Sequence, residues 1–375
     1  MHHTLALTTA QARFEAARKL PSSPLNHPAR NLHGHSFIAT AYGLLTPREV
    51  PFPGAQSQVL AQRLSETVQR LNFRDLNELM CDPHDTALAL WLMREIKLDS
   101  LDFVGIQSTR DHGVTLTIQS GNRVEGYTAS PLSAHAFRLW RRYRFKAAHQ
   151  LPHVTPGHKC GRMHGHGFQV VLQADTYGDV DYELLDKAWE HVRPELDMKC
   201  LNDVKGLENP TSENLSVWIW QRLKPIVPAL SWVTVYETRS CGAQFDGEQH
   251  RIWKDFYIDS AIRLSQAPEG DPRRMVHGDT FLMRLHLSGK LDPVMGWTMD
   301  FGEVKAAFDP IFKELDHRPL FEREEFADGG AEAIARYALK HGQSVIKQLV
   351  RVDVMDSQGA GTILTQVMPG PTLPS

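Results

Sequence analysis

The sequence predicts an α+β protein in which three tandem ββααββ repeats close one antiparallel β-barrel, with the helices outside. Three observations predict it. Four landmarks recur in the same order three times along the 375 residues. Within a copy, apolar residues alternate where strands are expected and fall into helical stripes where helices are expected. A single such unit would leave two exposed sheet edges, a liability that closure into a barrel removes.

The first landmark is strand-like: ARFEAARKLP from Ala12, YRFKAAHQLP from Tyr143 and KDFYIDSAIRL from Lys254. The second reads LHGHSF at 32–37, MHGHGF at 163–168 and VHGDTF at 276–281. LNFRDLNE from Leu71, LDMKCLND from Leu196 and LDHRPLFE from Leu315 form the third. The fourth is β-rich: FVGIQSTRDHG from Phe103, WVTVYETRSCGA from Trp232 and VRVDVMDSQGA from Val350. The preserved order marks true internal repeats, spanning 1–122, 139–249 and 252–367. A polar stretch at 126–133 links the first two, and the last two join tightly near 247–253. The tail from Met368, MPGPTLPS, is expected to be loose.

The middle copy shows the elements most clearly. Phe168, Val170, Leu172 and Ala174 share one face of a strand, with Gln169 and Gln173 on the other, the pattern of a half-buried strand. Leu185, Ala188, Trp189, Val192 and Leu196 form a helical stripe. After Pro210, Thr211 or Ser212 can cap a second helix, with Glu213 in its first turn and Leu215, Ile219 and Leu223 on its buried face.

Composition excludes several classes. Hydrophobic residues make up 42% and charged residues 23%, as in globular proteins. A net charge of −3 gives no basic field for nucleic acid or an anionic membrane. No apolar run is long enough to span a bilayer, and the first twenty residues lack a signal-peptide layout. The four cysteines, Cys81, Cys160, Cys200 and Cys241, are too few and scattered for a disulfide framework and fit a reducing, cytoplasmic setting.

His164 and His166 are two apart in a strand and point to the same side. A hairpin brings His149 alongside them. Three imidazoles converging from paired strands form a zinc site with its fourth position open. The plainer reading is three unrelated surface or core histidines, which the shared spacing disfavours. Cys160 either closes the metal shell as a structural ligand or stands beside the metal as a base. Only the middle copy has this set. Arg18 and Ile262 stand at the first ligand position of the other copies, Ala29 and Arg273 at the cysteine position, and Asp279 replaces the last histidine of the third copy.

The middle copy resembles the 6-pyruvoyltetrahydropterin synthase family, and most its 6-carboxytetrahydropterin synthase branch from the queuosine pathway. The resemblance rests on FKAAH at 145–149, C-x-x-x-HGH at 160–166, LENPTSEN at 207–214 and VYET at 235–238. The third copy resembles the family through GWTMDFGEVKAAFDPIFKELDHRPL at 296–320, and the first is the weakest match. The resemblance implies the tunnelling fold, in which three units close a barrel and two barrels stack. Three repeats in one chain would then form a covalent pseudo-trimer, and two chains a homodimer of pseudo-trimers.

The resemblance also implies roles. His149, His164 and His166 would hold Zn2+, and Glu237 would anchor the guanidine-like edge of a pterin, with Thr211 and Ser212 as further substrate contacts. Ser108 and Val354 stand in place of Glu237 in the other copies. The family pairs its cysteine, across a subunit boundary, with an Asp-His pair. The middle copy has Asp197-Met198 there and the first Asn72-Phe73, so only the third supplies the pair, as Asp316-His317. A composite site is implied, with Cys160 as base and His317, oriented by Asp316, as proton relay. Zinc would act as Lewis acid on 7,8-dihydroneopterin triphosphate, which takes up water and loses triphosphate and acetaldehyde to give 6-carboxytetrahydropterin. The alternatives are a 6-pyruvoyltetrahydropterin synthase-like or aldolase-like pterin lyase, or a non-catalytic zinc and pterin scaffold.

Overall fold

A computed structural model describes residues 4–118, 135–176, 181–327 and 330–371. The polar stretch expected at 126–133 lies outside the described residues. The first copy runs β1 (Leu5–Arg18), β2 (His33–Gly43), α1 (Gln56–Gln69), β3 (Arg74–Asp75), α2 (Asp85–Glu95), β4 (Leu101–Thr109) and β5 (His112–Ile118). The middle copy repeats this order as β6 (His135–His149), β7 (His164–Thr176), α3 (Tyr182–Leu196), β8 (Lys199–Cys200), α4 (Ser212–Leu223), β9 (Leu230–Thr238) and β10 (Cys241–Phe245). The third runs β11 (His250–Ile262), β12 (His277–Ser288), α5 (Phe301–Leu315), α6 (Ala331–Val345), β13 (Leu349–Met355) and β14 (Gly361–Thr365).

The long strands pair antiparallel in the order β1-β2-β4-β5-β6-β7-β9-β10-β11-β12-β13-β14. Strand β14 returns to β1, with Leu5 opposite Thr365 and Thr9 opposite Gly361. The ring is therefore closed, and the protein has the tunnelling fold with tandem repeats. Each pair of helices covers the outer face of its own four strands. In the middle copy Phe168, Val170, Leu172 and Ala174 pack against Leu185, Trp189 and Val192 of α3 and Leu215, Ile219 and Leu223 of α4. Each such fully buried large side chain contributes roughly 1.5–3 kcal/mol.

The other strand face departs from the half-buried expectation. Gln173 is 1% exposed, and Val171 packs with Trp140, Tyr236 and Trp253. Closing the sheet turns its polar face into an interior. Charges there must pair: Arg284 grips Asp255 at 2.6 and 2.8 Å, and Arg351 grips Asp353 at 2.6 and 2.8 Å. The tail is not loose where it is described. Arg251 donates to the carbonyls of Met368 (2.9 Å) and Pro369 (2.6 Å), Arg351 also donates to Pro369, and Pro371 is buried. The two arginines have N–H groups to spare, and the tail's carbonyls accept them. No helix among the described residues is long and apolar enough to cross a membrane.

Candidate active site

Strands β6 and β7 pair with His149 directly opposite His164, and the two-residue spacing turns His166 to the same side. The rings of His149, His164 and His166 lie 4.5, 5.2 and 5.1 Å apart. Their ligand atoms and a carboxylate oxygen of Glu237 all fall within 4.8 Å of one another. Nδ1 of His149 donates to the Pro210 carbonyl at 3.0 Å, and Nδ1 of His164 to the Arg162 carbonyl at 2.7 Å. A carbonyl only accepts, so each ring carries a proton on Nδ1, and the tautomer that binds a metal keeps Nε2 as a lone pair.

Nε2 of His149 and of His166 are buried without a hydrogen-bond partner among the described residues. Glu237 comes within 3.4 Å of the latter, too poorly aligned for a hydrogen bond. Orphaned buried nitrogens call for an explanation, and a metal ion supplies one. Burial lowers the basicity of both histidines, with Glu237 opposing, which favours the neutral form a metal needs. The donor set fits zinc with one position open.

Cys160 sits in the short turn Lys159–Gly161 between β6 and β7, outside the four converging groups. Burial, then Glu237, push its thiol up, and Asp300 adds to this against Lys159. The thiol is therefore protonated until a nearby cation offsets those effects.

Glu237 accepts a hydrogen bond from Ser212 at 2.9 Å. The Thr211 hydroxyl caps α4 by accepting the Asn214 N–H, and donates to the Gly296 carbonyl at 2.7 Å. Gly296 belongs to a third-copy loop, 292–300, that stands as a wall against the head of α4 and the turn carrying Cys160. Two groups at this wall escaped sequence reasoning as site residues. Glu213, 3% exposed, accepts the Thr298 N–H at 2.9 Å, and Asp300 faces His158 at 3.6 Å. Their signals were the LENPTSEN and GWTMDFGE motifs, which carry no hint that the two segments meet.

Asp316 and His317 form a separate group with Asp259. Asp316 accepts the Asp259 N–H at 3.0 Å and the His317 Nδ1–H at 2.9 Å, and raises the imidazole's pKa. The first of these bonds recurs in every copy: Asn72 accepts from Glu15 and Asp197 from Lys146. The next residue is left-handed each time, with φ of 57° at Phe73, 58° at Met198 and 54° at His317. Position 316 thus has a structural duty, and only the third copy adds an imidazole to it. The His317 side chain is 76% exposed. Among the described residues, no hydrogen bond or ion pair joins it to Cys160 or the three histidines.

Strand register corrects one correspondence. Val235 pairs with Val170, and Val354 with Met283. Val170 and Met283 each lie two residues after their copy's Phe168 or Phe281, so Val354 matches Val235. The place of Glu237 in the third copy therefore belongs to Asp356, beside which Asp279 has its carboxyl raised, first by burial and then by Asp356.

Residues 138–248 and 251–366 each match the family model described as 6-pyruvoyl tetrahydropterin synthase. A 6-carboxy-5,6,7,8-tetrahydropterin synthase of Synechocystis sp. is 38% identical over 119 residues, covering 28% of this chain and 91% of that protein. A dihydroneopterin monophosphate aldolase of Pyrococcus furiosus is 27% identical over 109 residues, covering 27% and 94%. The solved 6-pyruvoyl tetrahydropterin synthase of Caenorhabditis elegans is 20% identical, covers 30% of this chain and 92% of its own, and has a TM-score of 0.28.

Proposed function

Because the chain belongs to the 6-pyruvoyl tetrahydropterin synthase family, we propose that it is a zinc-dependent 6-carboxy-5,6,7,8-tetrahydropterin synthase acting on 7,8-dihydroneopterin triphosphate. At the coarser level it is a lyase-type enzyme of pterin metabolism. The observation that carries the finer reading is the pair of orphaned, buried Nε2 atoms of His149 and His166, facing His164 and Glu237.

His149, His164 and His166 would hold zinc, which when bound supplies Lewis-acid polarisation of an oxygen on the substrate side chain. Glu237 would accept two hydrogen bonds from the guanidine-like edge of the pterin, while Ser212, donating to Oε2, fixes its orientation. Thr211 contributes by seating Gly296, and with it the wall of the pocket. Cys160 removes a proton from the carbon beside the polarised oxygen. His317, with Nδ1–H held by Asp316, relays protons through Nε2. His317 is exposed and the pair is grouped apart from Cys160, which supports its delivery to the pocket by a second barrel stacked on the first, in a homodimer of pseudo-trimers.

Cys160→Ala and His317→Ala are each expected to abolish turnover while metal content stays at the wild-type level, whereas His149→Ala loses both. Full activity in either of the first two variants overturns the composite site. The similarity to an aldolase favours a second reading, side-chain cleavage without the synthase outcome. Mass analysis of the pterin product separates the two.

A further inference from the structure

We propose that His158 and Asp300 form a strut between two repeats that positions Cys160 over the three-histidine pocket. The proposal rests on the reading of Cys160 as the base. His158 caps the turn that carries the thiol, its Nδ1 accepting the Cys160 N–H at 3.2 Å. A neutral ring that accepts at Nδ1 carries its proton on Nε2, and Nε2 lies 3.6 Å from Asp300 Oδ2. The Trp297 ring packs 6.2 Å from the imidazole.

Asp300 is a fixed point. It caps α5 by accepting the N–H groups of Gly302 (2.7 Å) and Glu303 (3.1 Å). Its loop is tied to the middle copy at three further points: Asn209 donates to Met295, Thr211 to Gly296, and Thr298 to Glu213. Gly296 has φ +70°, and a Cβ there would meet the side chains of Asn214 and Asn209 at 2.6 and 2.8 Å. The strut therefore joins the turn of the thiol to an anchored wall supplied by another repeat.

The other copies separate the cap from the strut. His27 accepts the Ala29 N–H at 3.1 Å, and Asp271 accepts the Arg273 N–H at 2.9 Å. The cap is thus a requirement of the turn itself. Asp271 spends its carboxylate on Arg273 of the same turn, and no ion pair among the described residues joins His27 to another copy. In the third copy the neighbouring repeat is met by Arg273, 5.1 Å over the Phe52 ring, and not by the capping residue. Among the described residues, an ion pair from the capping side chain to a neighbouring repeat occurs only where a thiol stands in the turn. His158 and Asp300 are positioning residues.

The full-length, zinc-loaded protein tests this with His158→Asn, Asp300→Asn and the double variant. Asparagine caps as well as the residues it replaces, so folding and metal content are expected to match wild type. Each single variant is expected to lose about tenfold or more in kcat with KM near wild type. Iodoacetamide is expected to alkylate Cys160 faster in both, read by peptide mass so that Cys81, Cys200 and Cys241 do not contribute. The double variant is expected to be no worse than either single, because both break one strut. Wild-type kcat and alkylation in His158→Asn would show that the cap alone suffices and overturn the proposal, as would losses that multiply in the double variant. If alkylation responds as expected while even the wild type turns over no pterin, the strut stands and the enzymatic reading fails.

Discussion

Glu213 is a carboxylate in the first turn of α4, where a helix N-terminus favours negative charge, and it accepts the Thr298 N–H. Burial nonetheless dominates and pushes its carboxyl up to about 7 from 4.5, with Glu237 and Asp300 adding repulsion. A carboxyl whose folded pKa is raised gives its full stability below the unfolded value and loses it as pH rises through the folded one. The metal-free protein is therefore expected to weaken between about pH 4.5 and 7, by at most about 3 kcal/mol from this group. Glu213→Gln still accepts from Thr298 and is expected to melt with wild type at the acid end and above it at pH 8. Parallel melting curves for the two proteins across that range would sink the prediction. The histidine triad was legible in the sequence because spacing two in a strand and one hairpin fix it locally. Glu213 was not, because a first-turn glutamate is ordinarily solvated, and this one is covered by a loop some 85 residues further along.

The first copy shows what stands where the middle copy gathers its histidines. Arg18 lies opposite His33 as His149 lies opposite His164. It donates to the Pro83 carbonyl at 2.9 Å, as His149 donates to Pro210. The guanidinium lies 5.1 Å over Phe37, the counterpart of the Phe168 ring beneath His149. Ser108 on β4 donates to Asp85 at the head of α2 at 2.8 Å, the reverse of Ser212 on α4 donating to Glu237 on β9. Hydroxyl and carboxylate have exchanged elements. Arg18 and Asp85 pair at 2.8 Å with exposures of 3% and 5%, and Tyr182 from the middle copy also donates to Asp85. The pocket carries its own permanent cation, and burial followed by Arg18 lowers His35 to about 4. Removing one partner of such a pair strands a buried charge. Asp85→Ala is expected to cost about 3–5 kcal/mol in denaturant unfolding, and Arg18→Met with Asp85→Leu far less. A double variant as unstable as the sum of its singles would refute the pairing. The sequence revealed Arg18 and Ser108 as losses. Their compensation was hidden because Asp85 and Tyr182 lie far along the chain. The place of Glu237 in the third copy falls to Val354 in the sequence instead of Asp356 for a related reason: a short alternating strand aligns equally well two residues out of place, and only its hydrogen-bonded partner fixes the register.

Closure of the whole ring was legible from edge strands that three copies would leave unpaired, but its consequence for the inner face was not. Gln173 reads as solvent-facing in β7 and becomes interior only when β14 meets β1. The same distance effect governs the active site. Loop 292–300 of the third repeat packs directly on the middle copy's site, whereas His317 stands exposed, beside a half-buried Asp316, at the far end of α5. If a second barrel delivers that pair, each dimer holds two composite sites, and each site takes Cys160 from one chain and His317 from the other. Cys160→Ala and His317→Ala chains are then both inactive alone. In a mixed dimer, one of the two sites receives an intact thiol from the His317→Ala chain and an intact imidazole from the Cys160→Ala chain. Random assortment makes about half of the dimers mixed, so coexpression is expected to restore about a quarter of wild-type turnover per chain. Purifying the two variants through different tags in series, so that only mixed dimers are retained, is expected to raise this to about one half. Mixed dimers without activity would mean that each chain completes its own site, and the stacked arrangement would have to be abandoned.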